Sequence, residues 1–277
     1  MARKGGIPAE LKSSIVAEYA LGHSTEWLGR KYQMSARTVA AIVRAAGANV
    51  RPTGRARVHS VNDSAFDTIS EESAYWAGFL MADGCLTSRG HQIILGLAEC
   101  DRSHVEKFRD YLGSTHRVTL SLPGSWSIPG ATTQCRVCIT SERAWTSLTT
   151  LGITPRKSLT AEAAPELARH SAFWRGVIDG DGCIVITGRG TTVLSLTGAQ
   201  RLLEQFREFV LKLVPGCKAT VRPIKRSRAF VFAVSSQIAK TVIRELYDGA
   251  RVSLDRKFAL AAQVAGCGFG RPIETQR

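Results

Sequence analysis

Nowhere does this sequence hold an uncharged apolar run of the roughly 18 residues that a bilayer-spanning helix needs. Its basic start, Met1-Ala2-Arg3-Lys4, is followed by no apolar segment, so no secretory leader is read. Cysteines are few and unpatterned: seven, an odd number scattered through apolar stretches, which speaks against a disulfide framework and for a reducing compartment. The close pair Cys135 and Cys138 lies in alternating, strand-like sequence with no second pair or neighbouring histidine, a poor zinc site. Acidic side chains are scarce too, 23 against 37 Lys and Arg, for a formal charge of +14. A membrane-spanning segment is therefore not expected. The expected location is the cytoplasm, at the nucleoid if the source is a bacterium or phage.

What is present is enough apolar sequence (44%) for a real core in 277 residues. The positive excess points to a phosphate polymer as partner. It is densest at the start, where residues 1–60 carry 10 Lys and Arg against 3 acids.

Residues 10–46 read as three short helices. The first, from Glu10 to Leu21, puts Leu11, Ile15, Val16 and Tyr19 on one face and stops at Gly22. The second runs from about Thr25 to Tyr32, and the third opens after Ser35, a good N-cap, and continues to Gly47. The turn Gln33-Met34-Ser35 makes the last pair a helix-turn-helix, whose final helix can enter a major groove. Arg37, Thr38 and Arg44 fall off its apolar stripe and are candidates for base or phosphate contact. With Gly22-His23-Ser24, Met34-Ser35 and Arg37-Thr38-Val39 in place, the segment resembles the helix-turn-helix of recombinases and transposase-like regulators. Domain boundaries follow: 1–50 for this module and 51–70 for a basic, polar linker.

Beyond residue 70 the chain repeats itself. Tyr75-Trp76-Ala77-Gly78-Phe79-Leu80-Met81-Ala82-Asp83-Gly84-Cys85 returns as Phe173-Trp174-Arg175-Gly176-Val177-Ile178-Asp179-Gly180-Asp181-Gly182-Cys183, 98 positions later. Each copy is followed by a strand up to Arg89-Gly90 or Arg189-Gly190, a second strand (Ile93–Leu97; Val193–Leu196), and a helix, Glu106–Tyr111 aligning with Glu204–Phe209. Two more strands are expected in each half, about Thr115–Leu120 with Cys135–Thr140 and Lys218–Ile224 with Phe230–Val234. A closing helix follows near Glu142–Leu151 and Gln237–Tyr247. The expected fold class is α+β: two α-β-β-α-β-β-α repeats, 71–165 and 166–277, beside a small all-α domain.

The aromatic-led runs read as helices ended by Gly84 and Gly182. Small residues four apart, Gly78 with Ala82 and Gly176 with Gly180, would let the two motif helices pack backbone to backbone. Asp83 and Asp181 would then meet at their C-terminal ends, where carbonyls are unpaired and the macrodipole is negative. Carboxylate and carbonyl oxygens suit Mg²⁺, which takes its remaining ligands from water and substrate phosphate. The Asp179-Gly180-Asp181-Gly182 run is no calcium loop, because Cys183-Ile184-Val185-Ile186 offers none of the later oxygen ligands.

Across about residues 70–265 these paired motifs resemble the two LAGLIDADG motifs of single-chain homing endonucleases. The resemblance implies a monomer with internal pseudo-two-fold symmetry, the motif helices at the centre and two saddle-shaped sheets on the major groove of double-stranded DNA. It implies a Mg²⁺-dependent phosphodiester hydrolase, with Mn²⁺ as substitute, whose metal-binding acids match Asp83 and Asp181. The sixth motif position, Met81 in one copy and Asp179 in the other, carries no necessary metal role. Lys157 and Lys257, in Pro155-Arg156-Lys157 and Asp255-Arg256-Lys257, resemble the family's lysine near the attacking water. The family's polar residue at the end of the inner strand, near Asp101 and Ala199 or Gln200, has no clear match. For DNA contact the sheets offer Arg89, Arg136 and Arg189 and the basic hairpin containing Arg222, Lys225, Arg226 and Arg228. A non-cleaving DNA-binding regulator and a maturase acting on intron RNA are the alternatives on the same scaffold; two converging acids argue for the nuclease. The termini lack the nucleophile and the His-Asn ending of a self-splicing intein, so a free-standing or intron-encoded protein is expected.

Overall fold

The computed structural model describes residues 7–50, 58–122 and 132–266. Residues 51–57 of the expected linker, and residues 123–131 between the expected strands Thr115–Leu120 and Cys135–Thr140, lie outside them. The chain divides into two compact units, 1–57 and 58–277. No helix among the described residues is long and apolar enough to cross a membrane.

The first unit holds α1 (Ala9–Ala20), α2 (Thr25–Lys31) and α3 (Ala36–Ala45) around Ile15, Tyr19, Leu28, Val39, Ile42 and Val43. Ser24 and Ser35 cap α2 and α3, accepting from the backbone N–H of Trp27 and Thr38 at 3.1 Å each. Such caps satisfy donors that a helix start leaves orphaned. Lys31 and Tyr32 both bond Glu18, tying α2 to α1.

The second unit is the duplicated α+β body. Its first repeat runs α4 (Glu71–Ala82), β1 (Gly84–Leu86), β2 (Gln92–Ala98), α5 (Arg102–Tyr111), β3 (Thr119–Ser121), β4 (Gln134–Thr140), α6 (Glu142–Thr150). The second runs α7 (Ser171–Asp181), β5 (Gly182–Ile186), β6 (Thr192–Gly198), α8 (Gln200–Leu213), β7 (Arg222–Pro223), β8 (Phe230–Ser235), α9 (Ser236–Tyr247), and adds α10 (Asp255–Ala265). Both sheets are antiparallel and share one strand order, β1-β2-β4-β3 and β5-β6-β8-β7. Period-two alternation buries Ile93, Leu95, Val137 and Ile139 in one sheet and Leu194, Leu196, Phe232 and Val234 in the other, against the helices. One continuous core spans both repeats, as a pseudo-dimer requires.

Three sequence expectations change. The part of the expected linker that is described, 58–70, packs on the first repeat: Phe66 is buried in the core, Asn62 N–H bonds Leu112 O at 2.8 Å, and Ser60 Oγ donates to Gly113 O at 2.9 Å. Phe66, Val61, Ala65 and Ile69 pack from turns, neither helix nor strand, so their anchoring role is set by tertiary contact rather than by the period of an element. The outer strands are shorter than expected, Thr119–Ser121 and Arg222–Pro223. A full helix, α10, stands where the sequence marks only a lysine after the closing helix.

Candidate functional site

The motif helices α4 and α7 form the most intimate contact in the molecule's second unit. Their glycines have no room for a side chain. A Cβ on Gly78 would lie 2.0 Å from the Phe173 carbonyl oxygen, and one on Gly176 would lie 2.1 Å from that of Tyr75. One turn further along, a Cβ on Gly180 would lie 2.3 Å from the Ala82 Cβ and 3.2 Å from an Asp83 carboxylate oxygen. The backbones therefore converge until the ends of both helices abut, which sets Asp83, the C-cap of α4, beside the residue preceding Asp181, the last of α7.

Both acids remain solvent-accessible, yet crowding between helix ends desolvates their carboxylates. Asp83 is raised to about 6, first by burial and then by the charge of Asp181. Asp181 is also raised by burial, with Lys157 and Lys257 pulling the other way. Neither carboxylate has a hydrogen bond or ion pair among the described residues, so two negative charges face each other without a bonded counter-charge.

The two lysines sit close by but bond to backbone. Lys157 Nζ donates to Gly84 O at 2.5 Å; Lys257 Nζ donates to Gly182 O at 2.6 Å and Ile178 O at 2.5 Å. In each repeat the lysine thus grips the carbonyl of the glycine just after the acid. Both lysines are buried, which lowers their pKa, while the nearby acids support the charged form. They reach this place by different routes: Lys157 starts a 3₁₀ turn entered through Arg156 at φ 60°, whereas Lys257 is in the first turn of α10.

The donor set fits a hard cation. Among the described residues no group of three or more His, Cys, Asp and Glu side chains stands ready to enclose a metal, so a closed zinc-type cage is absent there. Two carboxylates open to solvent match an ion that keeps waters and takes its other ligands from a phosphate.

A scan of the sequence against protein-family models gives no match, and neither does a search of the curated proteins. Among solved structures, the chain is similar to the homing endonuclease I-DmoI in complex with DNA and Ca, at 16% identity and a TM-score of 0.46, over 73% of this chain and 99% of that one. It is similar to the I-SmaMI LAGLIDADG homing endonuclease bound to cleaved DNA, at 12% identity and 0.46, over 72% and 88%. It is also similar to full-length DUF199/WhiA from Thermatoga maritima, at 11% identity and 0.43, over 74% and 64%.

The remaining sequence candidates distribute over the surface. Arg136 on β4 and Arg222 on β7 are exposed, on the sheet faces turned away from the core. Arg136 pairs with Gly96 and Arg222 with Val231, which pairs with Thr197. These rows lie one step beyond the Leu95–Gly84 and Leu196–Gly182 pairs, so each arginine occupies the row that runs toward its acid. The eight described strands carry no Asp or Glu at all, and Arg136 and Arg222 are their only charged residues. Arg89 and Arg189 are exposed in the turns after β1 and β5, and Lys225, Arg226 and Arg228 are exposed in the β7–β8 turn. In the first unit Arg37 and Arg44 are exposed, while the Thr38 hydroxyl lies 2.7 Å from Ser35 Oγ and is engaged at the cap. Asp101 forms an ion pair with Arg256 at 3.1 Å.

A buried polar cluster has no counterpart among the sequence candidates. Asp179 is fully buried: Oδ1 accepts from Tyr247 Oη at 2.6 Å, and Oδ2 accepts from Tyr75 Oη at 2.8 Å and Leu254 N–H at 2.7 Å. His104 Nε2 lies 2.9 Å from the same Tyr75 hydroxyl. Arg175, also buried, donates to Val252 O, Leu246 O and Glu71. The available signal was an acid inside an apolar helical run, where a charge persists only if it is bonded.

Proposed function

We propose that this chain is a site-specific double-strand DNA endonuclease, acting as a monomer on phosphodiester bonds with Mg²⁺, or Mn²⁺ in its place, held by Asp83 and Asp181. The observation that carries the reading is the meeting of two unbonded carboxylates at the junction of two equivalent sheets whose strands hold no acid. Asp83 and Asp181 would hold the cation, which when bound would supply polarisation of the scissile phosphate and a lowered pKa for a bound water. Lys157 and Lys257, locked on carbonyls beside the acids, offset negative charge that develops on the phosphate in the transition state. Arg89, Arg136, Arg189, Arg222, Lys225, Arg226 and Arg228 hold the duplex along the acid-free faces, largely through phosphates. The helix-turn-helix, with Arg37, Thr38 and Arg44, extends the footprint.

Selection from a randomised DNA library with Mg²⁺ tests this directly. Recovery of one asymmetric sequence cut on both strands is the expected result. Binding without cutting in Mg²⁺ and Mn²⁺ would instead make the chain a non-cleaving regulator, and selective capture of structured RNA would make it a maturase.

Removing residues 1–57 is expected to weaken DNA binding and to flatten its dependence on salt. For every phosphate that the shortened chain no longer neutralises, the slope of log K against log [salt] falls by about 0.9. Filter-binding titrations from low to moderate salt read the slope; an unchanged value excludes the module from the interface.

A further inference from the structure

We infer that Asp179 is a positioning residue for Lys257: it fastens the start of α10 to α7 and so fixes the lysine on the Gly182 carbonyl that follows Asp181, a device the first repeat lacks. The anchoring stands on geometry alone; its catalytic consequence rests on the nuclease reading above.

Four consecutive residues at the start of α10 are tied down. Leu254, the N-cap, gives its N–H to Asp179 at 2.7 Å. Asp255 pairs with Lys107 and Arg256 with Asp101, both across the repeat boundary. Lys257 reaches Ile178 O and Gly182 O. The Lys107–Asp255 pair is exposed and the Arg256–Asp101 pair is exposed on the arginine side, and such pairs contribute little. The Asp179 bond is buried, charge-assisted and shared with two tyrosine hydroxyls, which makes it the strong one. The Leu254 carbonyl in turn accepts from Lys257 N–H at 3.0 Å and Phe258 N–H at 2.9 Å, so the residue held by Asp179 begins the turn that carries the lysine.

The network also reaches both repeats. Tyr75 and His104 belong to α4 and α5, and Asp179, Tyr247 and Leu254 belong to the second repeat. At the equivalent position the first repeat has Met81, buried and without polar atoms able to hold a backbone N–H. Lys157 instead follows the left-handed Arg156 and bonds Gly84 O. The two centres are therefore built unequally, and disturbing Asp179 should affect one of them.

The test uses the full chain carrying Asp179→Leu with Tyr247→Phe. Leucine keeps aspartate's branching but offers no acceptor, the phenylalanine removes a hydroxyl that would be orphaned, and the Tyr75 hydroxyl can turn to His104 Nε2. Leu254 N–H is then the group left unpaired. Amide exchange over residues 254–258 should accelerate about tenfold or more while that of α7 holds. On a supercoiled plasmid bearing the selected site, one strand should be cut about tenfold more slowly and the other at its normal rate, so open-circular DNA accumulates. Equal slowing of both strands, or unchanged exchange at 254–258, overturns the assignment. Should the double variant not fold, Asp179→Asn, which keeps one acceptor oxygen, is expected to show the same strand bias in weaker form, and its absence counts against the proposal. If the intact chain cuts no DNA, the nuclease reading fails and the exchange measurement alone decides the anchoring.

Discussion

Asp83→Asn and Asp181→Asn, each made singly, are expected to abolish double-strand cleavage in Mg²⁺ while DNA binding in Ca²⁺ persists. The drop in rate is about a thousandfold or more, because the charge stabilisation removed amounts to several kcal/mol. Asparagine keeps the shape and one oxygen but removes the charge that draws the cation. A second consequence distinguishes a functional pair from a structural one. Asp83 titrates at about 6 in the folded chain, against 3.8 for the free group. The folded state thus holds its proton more tightly, and the penalty for ionisation grows as pH rises from about 4 to 6 and is complete above that. Asp83→Asn escapes this penalty. Without metal at pH 7.5 the variant should melt higher than the parent by about 2–4 °C, roughly 1 kcal/mol once solvent screening is allowed for, and the gap should close near pH 4. Cleavage at the parental rate, or a variant that melts lower at pH 7.5, contradicts the assignment of these acids.

The largest loss of stability is expected from alanine at the helix crossing. In Gly78→Ala and Gly176→Ala the new methyl would lie 2.0 and 2.1 Å from backbone carbonyl oxygens of the facing helix, and backbone cannot rotate aside. Alanine favours an isolated helix over glycine by about 1 kcal/mol. Here overpacking wins: the helices must separate, opening the core on both sides, at a cost of about 3 kcal/mol or more. Thermal unfolding should fall by about 6–12 °C. Gly198→Ala is the control, since a Cβ there meets nothing within 4 Å. It should be neutral. A Gly176→Ala chain as stable as the parent would mean that the crossing is not as close as described.

Duplication made much of this architecture readable. One Asp-Gly-Cys is a weak signal, but two of them 98 residues apart, each followed by the same strand and helix pattern, define the repeat, the interface and both acids. Lysines 157 and 257 were marked by the family resemblance, and both come to rest on the carbonyl after an acid. What the sequence concealed has no copy to be compared with. Phe66, with Val61, Ala65 and Ile69 beside it, anchors a stretch that has no copy in the second repeat, and α10 exists in one repeat only. The partners of Asp179 come from Tyr75, Tyr247 and Leu254, 104, 68 and 75 residues away, and no local spacing encodes such a meeting. Thr38 reads as a surface hydroxyl until the cap geometry shows it engaged by its neighbour.

The alternation of the strands has one more consequence. Ile93, Leu95, Val137 and Ile139 maintain the body, whereas Gln92, Ile94, Gly96, Gln134, Arg136 and Cys138 occupy the opposite side. Substitutions in the second group leave the first undisturbed, so on the endonuclease reading what that face recognises would drift one position at a time without unfolding the protein. With both halves on a single polypeptide, each would be free to wander separately, and the preferred target would have no need to stay palindromic.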